Sequence, residues 1–144
     1  MKPARPITHE FVDFIPTIKE EGKIYISFNY STAVHNCFCG CGEKVVTPIS
    51  PTGWTLIFDG ETVSLTPSVG NWGFKCKSHY MITRGHAVWA GQMSKTEIEM
   101  GRARDFINRE TYLKKESTHG APPVGKDYVK QHKFWNWLFP IDRG

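Results

Sequence analysis

Four cysteines carry the clearest chemical signal in this chain. Cys37, Cys39 and Cys41 lie in the run His35-Asn36-Cys37-Phe38-Cys39-Gly40-Cys41-Gly42, and Cys76 follows 35 residues after Cys41. Thiolates are soft donors suited to zinc, and a structural zinc is held in a tetrahedron of four protein ligands. Gly40 and Gly42 allow the tight turns that bring closely spaced sulfurs round one ion, because a residue without a Cβ enters conformations closed to others. A disulfide across a single intervening residue would strain the narrow Cα–Cα and torsion window. Clustered cysteines in a reducing compartment therefore read as a metal site. The expected site is a structural zinc on Cys37, Cys39, Cys41 and Cys76; the alternative is free thiols packed as small hydrophobes. Cys76-Lys77-Ser78-His79 also reads as a CxxH pair, which keeps a set with His79 as fourth ligand open. An extended 76–82 segment would send Cys76 and His79 to opposite faces, which favours the four cysteines. Four sulfurs leave no position for water. The chain also has neither an HExxH helix nor an HxE paired with PCxxC.

A second polar cluster is Ser64-Leu65-Thr66-Pro67-Ser68-Val69-Gly70-Asn71-Trp72, followed by Ser78-His79. A serine nucleophile needs a histidine base within hydrogen-bond reach and N–H donors for the oxyanion. Ser68 follows a proline, in an expected turn where Gly70 and Asn71 could present backbone N–H groups. His79 lies 11 residues downstream, at the start of the next expected strand. His35 could orient or replace that base, and Asp59 could supply an acidic third member. On the residues alone the ordinary explanation is the stronger one, a Pro-Ser turn whose hydroxyl caps its own backbone. His9, His86, His119 and His132 suggest no role.

Short apolar and β-branched runs, punctuated by Gly, Pro, Asn and Asp, must position these groups. Strands are expected at 23–29, 32–35, 44–48, 54–59, 62–66, 79–83 and 86–89. Asp59-Gly60 and Arg84-Gly85 are hairpin signals between such runs. The expectation is an α+β protein, with a mainly antiparallel β core stapled by the zinc and C-terminal helices. After Gly91 the pattern turns helical: Ser94-Lys95-Thr96-Glu97 fits a capping box. Ile98, Arg102, Phe106, Ile107 and Leu113 follow at roughly helical spacing. ESTHGAPPVGK (116–126) reads as a linker, and KDYVKQHKFWNWLFP as an amphipathic segment that packs on the sheet or docks a partner. The organisation is thus an extension over 1–22, a β core over 23–92 and a C-terminal helix, linker and aromatic tail over 93–144, compact as one domain.

Composition bounds the class. At 144 residues, 40% hydrophobic and 22% charged, the chain suits one globular domain rather than disorder. No apolar run approaches the ~20 residues of a membrane span. MKPARPITHEF lacks the apolar stretch of a secretory signal, so the expected location is the cytoplasm. A formal charge of +4 is too modest to argue for nucleic acid.

Taken in order, HNCFCGCG, TPISPTGWTL, DGETVSLTPSVGNW, CKSHYMI and VWA resemble the DUF6527 family of small bacterial proteins over residues 20–92. The resemblance does not extend to the C-terminal third. It implies a component of a bacterial ubiquitin-like conjugation system, alongside a ubiquitin-like protein and E1- and E2-like enzymes. It maps the family's cysteine motif onto Cys37, Cys39, Cys41 and Cys76, and its serine and histidine onto Ser68 and His79. The implied activity is that of a serine peptidase that processes the ubiquitin-like protein or removes it from targets. His79 would deprotonate Ser68 for attack on the carbonyl after the modifier's terminal glycine. N–H groups around Gly70 would hold the oxyanion, and the modifier's extended tail would lie along a strand edge. The alternative from another class is a non-catalytic zinc adaptor or E3-like component of the same pathway. A third, nucleic-acid binding, rests on the mild positive charge and aromatic tail alone and predicts steep salt dependence.

Overall fold

A computed structural model describes residues 2–118. They form strands β1 (Arg5–Pro6), β2 (Thr8–Phe11), β3 (Lys23–Ser27), β4 (Thr32–Asn36), β5 (Lys44–Pro48), β6 (Thr55–Phe58), β7 (Val63–Gly70), β8 (His79–Thr83) and β9 (His86–Trp89), then helix α1 (Lys95–Thr118). The strands make two sheets, one ordered β1-β9-β8-β7-β6 and the other β2-β3-β4-β5. The chain divides into two units, Met1–Ala103 and Arg104–Gly144, and both sheets belong to the first.

Alternation along each strand gives the sheets their buried sides. Val45 and Thr47 are buried on β5 while Lys44, Val46 and Pro48 are exposed; Tyr80 and Ile82 are buried on β8 while Met81 and Thr83 are exposed. One apolar core joins the two sheets, drawing Ile24, Ile26, Ala33 and Val45 from one and Val63, Leu65, Val69, Tyr80, Ile82 and Ala87 from the other. Burying each large aliphatic side chain contributes roughly 1.5–3 kcal/mol, so this shared layer is what fixes one sheet against the other.

Turn chemistry sets the registers. Asp59 accepts the backbone N–H groups of Glu61 and Thr62 on Oδ1, at 2.9 and 2.6 Å, and the Thr62 hydroxyl on Oδ2 at 2.7 Å. This closes the β6–β7 hairpin. Arg84 and Gly85 join β8 to β9 with φ of 45° and 70°, the two positive values that a type I′ turn needs.

All seven expected strands are present to within a few residues of their ends. Three features differ from the expectation. β1 and β2 lie in what reads as an extension, because pieces of two and four residues are too short to show an alternation; β2 also pairs with β3 in parallel. β7 continues through Pro67 to Gly70, so Ser68 sits in a strand and not in a turn. No residue of α1 is buried, and Phe106, Ile107 and Leu113 are all more than half exposed. Their spacing is interrupted by charged residues and leaves no continuous apolar stripe.

The capping box at Ser94 is formed: the Ser94 N–H donates to Glu97 Oε2 at 2.7 Å and the Glu97 N–H to Ser94 Oγ at 3.2 Å. Glu116–Thr118, read as linker, completes the helix. The remaining linker and the aromatic tail lie outside the described residues. Among those residues no helix is long and apolar enough to cross a membrane.

Candidate active site and metal centre

Ser68 and His79 come together across the β7–β8 pair, in which β7 is irregular. Leu65 pairs with Ile82 and Val69 with Tyr80, so four steps along β7 match two along β8. The two extra residues make a bulge, which contains the cis Thr66–Pro67 peptide. Bulges of this kind re-aim side chains and recur beside active sites. Beyond it Gly70 stands opposite His79, and Ser68, two residues earlier, shares the outer face of the sheet with the imidazole. Ser68 Oγ lies 2.8 Å from His79 Nε2, and His79 Nδ1 lies 2.7 Å from the Gly91 carbonyl oxygen. A carbonyl can only accept, so Nδ1 carries the ring proton. Nε2 then offers its lone pair to the Ser68 hydroxyl. That is the arrangement of a hydroxyl nucleophile with its base, the base being oriented by a third group.

Trp72 completes the setting. Its ring centroid is 4.9 Å from that of His79. A Cβ placed on Gly70 would collide with the Trp72 indole, with Cε2 only 2.8 Å away, so Gly70 is what lets the indole lie over β7 and reach the imidazole. Residue type and spacing do not mark Trp72 or the Gly91 carbonyl as supports of the imidazole. Trp72 closes the Ser64–Trp72 run, and the Gly-Asn-Trp ending is its trace in the sequence. The Gly91 group is main chain and leaves no trace in residue type.

The other residues singled out lie elsewhere. His35 is fully buried on β4, with Nε2 2.7 Å from the Tyr80 hydroxyl and its ring stacked on Phe38 at 4.2 Å. Burial pushes its pKa down to about 3, so the ring is neutral, and Nδ1 has no partner among the described residues. Asp59 is engaged by its own hairpin. The Asn71 backbone N–H donates to the Ser78 carbonyl at 2.8 Å, and its side-chain amide to Ser78 Oγ at 2.9 Å, which turns Asn71 towards the cysteines and away from Ser68. Gly70, by contrast, belongs to a pair that exchanges no ladder bonds with β8, so its N–H faces away from that strand.

The four cysteine sulfurs gather within 4.8 Å of one another, a set that can hold a metal ion. Cys37 Sγ is 3.3 Å from Cys39 Sγ and 3.9 Å from Cys76 Sγ, and Cys41 Sγ is 3.7 Å from Cys76 Sγ. Gly40 and Gly42 take φ of 90° and 84°, the left-handed turns that fold Cys39 and Cys41 back beside Cys37. Cys37 is buried and Cys41 exposed, so the cluster lies at the surface with one sulfur anchored in the core. Burial pushes the Cys39 thiol up to about 12. At Cys76 burial acts in the same sense but is outweighed by Ser78 and the neighbouring thiols, which bring it down to about 7.

A buried polar network joins this cluster to the sheet that carries His79. Ser78 Oγ is 3.0 Å from Cys37 Sγ, and the Asn71 amide reaches Cys37 Sγ at 3.6 Å and the Tyr80 hydroxyl at 3.4 Å. Ser78 is the residue before His79. The cysteines and the serine–histidine pair therefore occupy opposite faces of one short stretch of chain.

Neither the curated proteins nor the solved structures contain a match to this chain. Residues 11–90 match a described family and span the cysteines, Ser68 and His79 together. The chain belongs to that family, the bacterial ubiquitination-like system serine proteases (BubE).

Proposed function

We propose that the protein is a serine peptidase of a bacterial ubiquitin-like conjugation system, with Ser68 as nucleophile and His79 as general base. It would process the C-terminus of the ubiquitin-like protein or release that protein from its targets in the cytoplasm. The observation that carries this reading is the relay Ser68 Oγ···His79 Nε2 and His79 Nδ1–H···O=C of Gly91, at 2.8 and 2.7 Å. Ser68 transfers its proton to Nε2 as Oγ attacks the scissile carbonyl. The imidazolium then returns that proton to the leaving amine, and water repeats the sequence on the acyl-enzyme. The outward-facing N–H of Gly70 supports a role in holding the developing oxyanion. The resemblance carried by HNCFCGCG and CKSHYMI points to the same class of protein.

The donor set fits zinc. Tetrahedral Zn–S bonds of ~2.3 Å require sulfurs roughly 3.8 Å apart, close to the separations among Cys37, Cys39, Cys41 and Cys76. Zinc held there supplies a cross-link between the loop after β4 and the loop before β8. With four thiolates around it the coordination is closed, which supports a structural role.

The test is incubation with the system's ubiquitin-like protein carrying a C-terminal extension, with Ser68→Ala in parallel. Cleavage by the wild type and loss of at least ~100-fold in the variant is expected. Undiminished cleavage by Ser68→Ala would remove Ser68 from its role. Binding without cleavage would favour the adaptor.

A further inference from the structure

Two strand edges face a common groove beside Ser68, and among the described residues neither is paired along the stretch that faces it. β5 ends its sheet. Its ladder with β4 is bounded by Cys37 N–H to the Glu43 carbonyl and Ile49 N–H to the Ser31 carbonyl, each 2.8 Å. Ladder-bonded residues alternate, so counting by twos from Glu43 makes Val45 and Thr47 the bonded residues. Lys44 and Val46 then direct their N–H and C=O groups outward. The same count places Pro48 outward; it has no N–H, and its carbonyl receives the Trp54 N–H at 2.9 Å. On the other side, the β6–β7 ladder stops at Thr55 and Thr66, which leaves Pro67–Gly70 of β7 without a strand neighbour on that flank among the described residues. The Gly70 N–H and C=O point the same way, away from β8.

The space between is a groove of about 220 Å³, lined by Val46, Val69, Gly70 and Trp72 and by Trp54 at the corner where the chain turns from β5 into β6. Lys44 and Arg102 also line it, so its walls combine apolar and basic side chains with outward main-chain groups of β5 and β7 that can bond an extended backbone. The groove is lined by neighbours of the reacting groups: Gly70 is two residues from Ser68, and Trp72 both lines it and packs on His79.

We infer that this groove takes the substrate as an extended main chain, inserted as a strand between Val46 of β5 and Gly70 of β7, with its scissile carbonyl brought to Ser68. This rests on the serine peptidase reading above. A strand inserted between two others bonds to both, its successive residues facing alternate sides. N–H groups of consecutive substrate residues would therefore donate alternately to the Gly70 and Val46 carbonyls.

The experiment takes the best-hydrolysed member of a library of octapeptide coumarin amides and methylates its backbone nitrogens one at a time. Wild-type protein is used, and labelling of Ser68 by a fluorophosphonate probe is measured separately. Each methyl group at two or three consecutive residues is expected to lower kcat/KM about tenfold, the size of one main-chain hydrogen bond. Val46→Pro, which removes one edge N–H, is expected to weaken binding of the unmodified peptide by a similar factor. Sensitivity confined to every second residue would overturn insertion between two edges, and indifference to methylation at every position would overturn the groove altogether. Failure of the underlying reading looks different: no fluorophosphonate labelling and no hydrolysis of any peptide.

Discussion

His79 donates its Nδ1–H to the Gly91 carbonyl at 2.7 Å, and this contact decides which ring nitrogen faces Ser68. A carboxylate in that position would fix the tautomer and also neutralise the imidazolium formed during reaction; a carbonyl supplies orientation and a partial charge only. The expected result in a ¹⁵N spectrum of the labelled protein is that the neutral ring shows a protonated, pyrrole-type Nδ1 and a pyridine-type Nε2. The reverse assignment would mean that the ring cannot accept from Ser68. His79→Gln, which keeps the volume and loses the base, is expected to reduce peptide hydrolysis about 100- to 10,000-fold.

Trp72 packs on the imidazole, and Gly70 leaves the room it needs to do so. Gly70→Ala drives a methyl group into the indole, and the ring must leave its place against His79. Hydrolysis should fall at least about tenfold, since a displacement of this order misaligns the reacting atoms. Tryptophan fluorescence should shift in the same variant while the melting temperature changes little, because Trp72 is not part of the buried core. Gly73→Ala is the matched control: its Cβ meets nothing within 4 Å, so the fluorescence shift should be absent.

The sequence showed the sheets well and the site only in part, for physical reasons that differ from residue to residue. Runs such as Lys44–Pro48 and His79–Thr83 alternate cleanly, and Arg84-Gly85 favours a turn by its own backbone preferences, so these elements are locally encoded. Cys37, Cys39 and Cys41 announce themselves by type and spacing. Pro67 interrupts a strand pattern and so predicts a turn at Ser68; only the pairing with β8 makes the interruption a bulge inside a longer strand. Asp59, the expected acidic third member, bonds Glu61 and Thr62 of its own hairpin instead. The actual partner of His79 is a peptide carbonyl, which every residue has and no pattern distinguishes.

Asp59 gives a pH-dependent test of that distinction. The Thr62 hydroxyl, and then the backbone N–H groups of Thr62 and Glu61, bond the charged carboxylate and hold its pKa down to about 2. The folded state thus binds fewer protons than the unfolded chain between about pH 4 and pH 2. The stabilisation is complete above the unfolded pKa and disappears as pH falls through the folded one. Asp59→Asn should lower the melting temperature at pH 7, with the gap to wild type closing below about pH 4. Hydrolysis by the variant should match wild type; a large loss of kcat would return Asp59 to the catalytic apparatus.

Metal removal should separate the staple from the chemistry. Elemental analysis is expected to find one zinc per chain, and none in Cys76→Ser. A strong chelator should lower the melting temperature by more than about 10 °C, because binding free energy at a structural thiolate site is folding free energy. Hydrolysis should decline with the unfolded fraction, not ahead of it. Immediate loss of activity in protein that is still folded would instead place the metal in the reaction.

Asn71 tests the network between the two clusters. Its amide donates to Ser78 Oγ at 2.9 Å and approaches Cys37 Sγ at 3.6 Å, so it stabilises negative charge on the buried sulfur. Outer hydrogen bonds of this kind hold metal-binding side chains in position. Asn71→Ala leaves Ser78 and Cys37 without that donor and should cost about 1–3 kcal/mol of stability. Asn71→Asp, nearly the same size, sets a carboxylate beside the thiolates and should weaken metal retention further. With cobalt in place of zinc, both variants should shift the thiolate-to-metal absorption, and Asn71→Asp should release the metal to a chelator at least about tenfold faster than wild type. An unchanged spectrum in both would leave Asn71 a packing residue, with the backbone bond to Ser78 as its remaining link to His79.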